Sequence, residues 1–309
     1  MLYFEDALWI RENFWKDAIG TAYFALGFFG IAFHLVLISI LPEISNFISR
    51  PSTVILSAQF TACIIQFFVV FVPVPAMIAV NKPYFVNEVM INVPAFLLVL
   101  SQCFAFLFMM VHGAYRNLKS ISPRAGTLLF IDKVLIAIIS VAFCFSFYFS
   151  VNICVHTTIR RFKPWQLTWI VQEFEATSFK YLVIFISSLD FISNILCISD
   201  LSYRKLFKKQ ETADEEEPDA RRETILSTVF HIIFNGIFAF LICIGFLFSS
   251  PIVSITHVFL TAYWPVITAL SLDIHIRSAL IYRLRGIFQP HAANTPIVIR
   301  ANTSKFSKF

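Results

Sequence analysis

Asp190 is the residue of this chain whose chemistry most needs an account. It sits mid-way along the apolar run 181–199, which holds no other Asp, Glu, Lys or Arg. A carboxylate at that depth in a membrane costs at least about 2.5–3.5 kcal/mol, so it requires a partner, a water-filled cavity or a proton. Asn194 follows one helical turn later, and Asn235 falls at a similar depth in the run 224–250. Two readings are open for this polar group: a ligand contact or activation lock between the two runs, or a structural hydrogen-bond pair with Asp190 protonated. Arg116 closes the run 89–115, where an Arg can snorkel to the membrane edge. Gln59, Gln66 and Gln102 have the types that hydrogen-bond between apolar helices. His34 reads as a core histidine. The seven His, at 34, 112, 156, 231, 257, 275 and 291, are scattered, and neither His-x-x-His nor Cys-x-x-Cys occurs. With no glycine-rich phosphate loop either, no metal site, cofactor or enzymatic activity is expected. The run 251–272 also lacks the Lys that a retinal Schiff base would need.

The elements that must position these residues follow from composition. Of 309 residues, 58% are hydrophobic and 14% charged, and the mean hydropathy is +0.76. A soluble domain carries about 25% charged residues, so there is too little charge here to cover a water-facing surface. A soluble enzyme, a disordered regulator and a nucleic-acid-binding domain are excluded. Seven apolar runs are legible: 18–41, 53–80, 89–115, 134–156, 181–199, 224–250 and 251–272, of which only the fifth contains a charged residue. About 20 apolar residues cross a core of about 30 Å as a helix, and lipid forces the backbone to satisfy its own hydrogen bonds. The predicted fold is an all-α membrane protein, a seven-transmembrane helix bundle over 18–272. Only Ser249, Ser250 and Pro251 divide the last two runs. Residues 1–17 carry six charges and no short apolar run, so no cleavable signal is expected and the first run targets itself.

Charge sets the expected orientation. One side of the bundle carries 6 Lys and Arg and the other 16, with Lys133 and Lys180 at span edges. The positive-inside rule then places residues 1–17 outside and the C-terminus in the cytosol. Trp9, Trp15, Trp165 and Trp169 fall on the outer side, as headgroup-level rings do. The third cytoplasmic loop, 201–224, has an acidic centre, Asp214 to Glu217, between basic ends that include Arg204, Lys205, Arg221 and Arg222. It reads as a solvated linker whose basic ends can also meet a partner. In 273–288, Ile276, Leu280, Leu284 and Ile287 recur at helical spacing with Arg277, Arg283 and Arg285 along one edge. This predicts a short amphipathic eighth helix on the inner leaflet, ended by Gly286 and Pro290. Residues 289–309 form the cytoplasmic tail, where the sequon Asn302-Thr303-Ser304 should stay unused.

Particular motifs carry a family resemblance. Arg50-Pro51-Ser52 leads through Ser57-Ala58-Gln59 to Pro73 and Pro75; Arg116 is followed by Pro123; Arg222-Glu223 opens the sixth run; Phe259-Leu260-Thr261-Ala262-Tyr263-Trp264 precedes Asp273. These resemble the nematode serpentine chemoreceptors, class x most closely, over most of 18–285. The resemblance implies a G-protein-coupled chemosensory receptor for a small molecule or peptide, in the plasma membrane, with the sensory cilium as one candidate compartment. It also implies that Arg116 is a cation held at rest and released to a heterotrimeric G protein on activation. Pro123, Arg204, Lys205, Arg221 and Arg222 would share that partner face. The chain departs from the rhodopsin-like pattern in several places. Tyr115 stands where the Arg-pairing acid is usual, Asn117 where Tyr is usual, the sixth run has no Pro, and Asn-Pro-x-x-Tyr is absent from the seventh. Cys103 lies too deep to be the usual bridge partner of Cys154, so that disulfide is not expected.

The ligand is expected in the outer half of the bundle, where depth selects Phe96, Leu100, Tyr181, Phe240, Tyr263 and Trp264. The rival readings are a seven-helix transporter and a ligand-gated channel subunit. A transporter would usually show repeated halves or several intramembrane charges, and an inverted channel subunit would reverse the charge bias.

Overall fold

A computed structural model describes the backbone of residues 2–45, 48–81, 88–122, 126, 128–156, 161–163, 168–170, 173–207, 218–244 and 251–288. The elements run α1 (Leu2–Ile40), α2 (Arg50–Phe71), α3 (Pro73–Val80), α4 (Glu88–Ile121), α5 (Asp132–His156), β1 (Arg161–Lys163), β2 (Thr168–Ile170), α6 (Glu173–Phe207), α7 (Pro218–Ile244), α8 (Pro251–Leu272) and α9 (Ile274–Phe288). Apart from the antiparallel β1–β2 pair, with Phe162 opposite Trp169, the described regular structure is helical.

Prolines set several boundaries. Pro42 follows α1, and Pro51 occupies the first turn of α2, where its missing N–H costs nothing. The expected second span holds as one apolar stretch built from two helices: the helix is interrupted at Val72, because Pro73 and Pro75 remove two donors, and α3 then runs to Val80, followed by Asn81 in the left-handed region at φ 53°. α1 also runs back through the expected N-terminal segment to Leu2, and α4 outlasts its apolar run by six residues. Between α8 and α9, Asp273 caps the new helix, its Oδ1 accepting the backbone N–H of His275 at 2.8 Å and of Ile276 at 3.2 Å.

Six stretches are long and apolar enough to cross a membrane: Phe14–Ile40, Arg50–Val80, Asn92–Ile121, Asp132–Asn152, Lys180–Asp200 and Ile255–Leu272. The apolar part of α7 with described side chains, Ile225–Phe240, is shorter. The dividing residues 249 and 250 lie outside the described residues. Large apolar side chains such as Phe29, Val141, Phe185 and Leu196 cover the exterior of the bundle, which fits a lipid bilayer and not water.

Helix α4 is the hub, packing on α2, α5, α6, α7 and α8. α1 joins through a close crossing on α2. A Cβ on Gly30 would lie 2.4 Å from Phe67 Cδ1, so only Gly permits this approach. One apolar cluster gathers Tyr23, Phe67, Val70, Met77 and Phe259 near the α3 end of the bundle. Another packs Ile276 and Leu280 of α9 against Leu37, Ile40, Leu41 and Ile44. Arg283 extends that contact with an ion pair to Glu43. Gly286 does not stop α9, which continues to Phe288.

Candidate functional site

The polar residues gather where α4, α6 and α7 meet. Asn235 Nδ2 donates to Asp190 Oδ2 at 2.7 Å, and Asn194 Nδ2 donates to the same oxygen at 3.0 Å. Asn117 of α4 joins from the third helix, its Nδ2 donating to Asn194 Oδ1 at 3.0 Å and Ser193 Oγ at 3.1 Å. Asn235 Nδ2 also lies 2.9 Å from His231 Nε2, which makes that nitrogen an acceptor and leaves the ring proton on Nδ1. His231 Nε2 is in turn 4.0 Å from Asp190 Oδ1. All of these side chains except that of Ser193 are buried. The amides thus supply donors to a carboxylate that lipid would not solvate. Gly113 makes the meeting physically possible: a Cβ there would lie 2.2 Å from His231 Nε2 and 3.0 Å from Asp190 Oδ1.

Arg116 lies one turn further along α4 and donates to Ser227 Oγ of α7. The sequence offers no local acid to pair with Arg116, and among the described residues no carboxylate forms an ion pair with it. Asp273, between α8 and α9, faces the same cavity and acts on the Arg116 charge electrostatically. Tyr115 does not substitute for the acid. Its Oη donates to Ser49 Oγ at 2.7 Å and its ring packs edge-on against Phe130.

A cavity of about 750 Å³ opens at this α9 end. Arg116, Lys119, Ser227, His231, Asp273 and Arg277 are among its walls. The cavity therefore reaches from the bundle's end to His231, which separates it from Asp190. Arg204 and Lys205 lie on the last turn of α6, and Arg221 and Arg222 on the first turns of α7. Pro123 and residues 208–217 lie outside the described residues.

The expected ligand residues do not converge. Tyr181 and Phe240 are 70% and 62% exposed and point away from the bundle interior, so they are corrected to exterior positions. Phe96 packs edge-on against Phe147 of α5. Tyr263 turns towards α1 and α2, packing edge-on against Phe67 and donating to the Leu26 carbonyl at 3.2 Å. Trp264 turns the other way, donating from Nε1 to the Phe234 carbonyl at 2.9 Å. Leu100 is buried. Cys63, Cys103 and Cys197 are buried and in no disulfide, and the side chain of Cys154 lies outside the described residues.

The sequence reading passed over His112, Gly113, His231 and Ser227. A signal was available for two of them. His112 stands four residues before Arg116, and His231 four before Asn235, so each shares a helix face with a residue already singled out. Ser227 carried no such mark.

No protein-family model matches the chain, and no curated protein is detectably similar to it.

Proposed function

We propose that the chain is a seven-helix chemosensory receptor that binds a small molecule or peptide from outside and activates a heterotrimeric G protein inside. In this reading α7 is the sixth crossing and α8 the seventh, and α9 is the amphipathic helix along the inner leaflet. The N-terminus faces out, and the α9 end faces the cytosol of a plasma membrane. The resemblance to the nematode serpentine chemoreceptors supports it. The single observation that carries it is the cavity at the α9 end, which opens beside Arg116, held by a serine and not by a carboxylate. A neutral tether can be exchanged for a docked partner more readily than a buried ion pair. Activation is then a population shift, in which the ligand favours a packing of α4, α6 and α7 that frees Arg116.

Arg116→Ala tests this. Expressed with an epitope tag at each terminus, the variant should reach the cell surface as the parent does. Guanine-nucleotide exchange in its membranes should be lost. Full exchange by the variant would sink the role of Arg116. The tags also test orientation: in intact cells the N-terminal tag alone should be accessible, and an accessible C-terminal tag would favour an inverted channel subunit. One observation favours a transporter as second reading. His231, facing the cavity, lies 4.0 Å from Asp190, an arrangement able to pass a proton into the bundle. Ligand affinity that is indifferent to GTP analogues would support the transporter.

A further inference from the structure

The cavity at the α9 end carries a charge that its own walls do not balance. Among the described residues, three cations, Arg116, Lys119 and Arg277, face it against one carboxylate, Asp273. Asp273 already accepts two backbone N–H bonds at the start of α9. Arg116 donates to Ser227, which is neutral. Among the described residues, no carboxylate lies within 4.0 Å of any of the three cations; the ion pairs found are Arg50 with Asp132, His231 with Asp190, and Arg283 with Glu43. A guanidinium half-buried at a membrane edge without an anion is costly, and a bound anion removes that cost. The volume, about 750 Å³, suits a small-molecule head and is far larger than a chloride ion needs.

We infer that this cavity binds a phosphate monoester. Two guanidinium forks and an ammonium match the several oxygens and double charge of a phosphate better than the two oxygens and single charge of a carboxylate. Two sources supply that chemistry: the headgroup of a phosphoinositide in the adjoining leaflet, or a soluble organic phosphate. The inference uses only the cavity walls, so it stands whether or not a G protein docks there. Where both hold, the phosphate and the partner compete for Arg116.

The test uses the full chain in phosphatidylcholine nanodiscs and reads thermal unfolding and direct binding, with no nucleotide exchange involved. Its outcome is therefore separate from that of the Arg116→Ala experiment. One arm adds soluble inositol trisphosphate; the other includes phosphatidylinositol bisphosphate in the nanodisc. Stabilisation in the lipid arm alone assigns a headgroup site, and stabilisation in both assigns a site open to free phosphate. The double variant Lys119→Gln/Arg277→Gln changes two exposed side chains and should bind the effective probe about tenfold more weakly. Lys119→Arg/Arg277→Lys, which keeps both charges, should restore most of the affinity. Three results would overturn the inference: no stabilisation by either probe, unchanged binding by the glutamine double variant, or equal stabilisation by phosphatidylserine at matched charge. The last would mean that only surface potential is felt.

Discussion

Helices α4 and α5 are nearly equal in apolar character and opposite in burial. In an 18-residue apolar window of each, the mean hydropathies are 2.2 and 2.4, yet 72% of one window is buried inside the bundle and 22% of the other. Hydropathy therefore says that a helix enters the membrane and nothing about where it stands there. The difference lies in the residues that hydropathy averages away. The inward faces of α4 carry Ser101, Gln102, His112, Gly113, Arg116 and Asn117, groups that lipid cannot satisfy or that allow close approach. α5 presents Val141, Phe143, Phe147 and Tyr148 to the exterior, and among these nothing demands a protein neighbour. Substitutions at four positions bear on this contrast.

The largest effect is expected at the tightest point of α4. In Gly113→Ala the new Cβ lies 2.2 Å from His231 Nε2. The His231 ring must move, and its bond with Asn235 goes with it. We expect a loss of about 3 kcal/mol, read as earlier labelling of the buried thiols Cys63, Cys103 and Cys197 on heating in detergent. Unchanged labelling would mean that α4 and α7 do not approach this closely.

Asp190→Leu comes next. It leaves the donor amides of Asn194 and Asn235 without their shared oxygen and should cost about 2 kcal/mol. Asp190→Asn keeps an acceptor oxygen and should cost less than about 1 kcal/mol. Equal losses for the two variants would show that the carboxylate charge, and not the hydrogen bonding, holds α6 to α7.

What was legible in the sequence divides along the same line. Each apolar run is long and nearly free of charge, with Asp190 the one exception, so the apolar helices could be read directly. Asp190, Asn194 and Asn235 could be matched by depth, because a buried polar group needs a partner at its own level. The break at Val72 was less apparent, since Pro73 and Pro75 also suit the end of a span. The carboxylate that shares a cavity with Arg116 was not legible. Asp273 lies 157 positions further on, and only the packing of α8 beside α4 brings the two charges to one cavity. The outward direction of Tyr181 and Phe240 was not legible for another reason. Depth along a helix predicts level and not direction, and with 37 Phe in the chain an aromatic ring carries little directional information. Tyr181 and Phe240 have suitable depth and face outward.

A smaller effect is expected from a single polar tie of the hub. Gln102 Nε2 donates to Thr261 Oγ1 at 3.3 Å, joining α4 to α8. Gln102→Leu should cost about 0.6 kcal/mol, the average for such bonds in membrane bundles, because the loosened helices find other partners. A loss as large as that of Asp190→Leu would place the centre of the polar core at α8 and not between α6 and α7.

The smallest effect is expected at a glycine that differs from Gly113 only in its neighbours. Gly236 lies in α7, one residue after Asn235, and a Cβ there would meet nothing within 4 Å. Gly236→Ala gains helix propensity. In water that gain is about 0.5–1 kcal/mol, but lipid already compels the backbone to stay helical, so much of it is lost. The expected change is a stabilisation of no more than about 0.5 kcal/mol in the same thiol-labelling assay. Both variants add one methyl group to a helical glycine, so their difference isolates what stands opposite. A destabilisation by Gly236→Ala comparable to that of Gly113→Ala would mean that a second helix or another copy of the chain covers this face of α7, and the division into an inward and a lipid-facing side would have to be redrawn there.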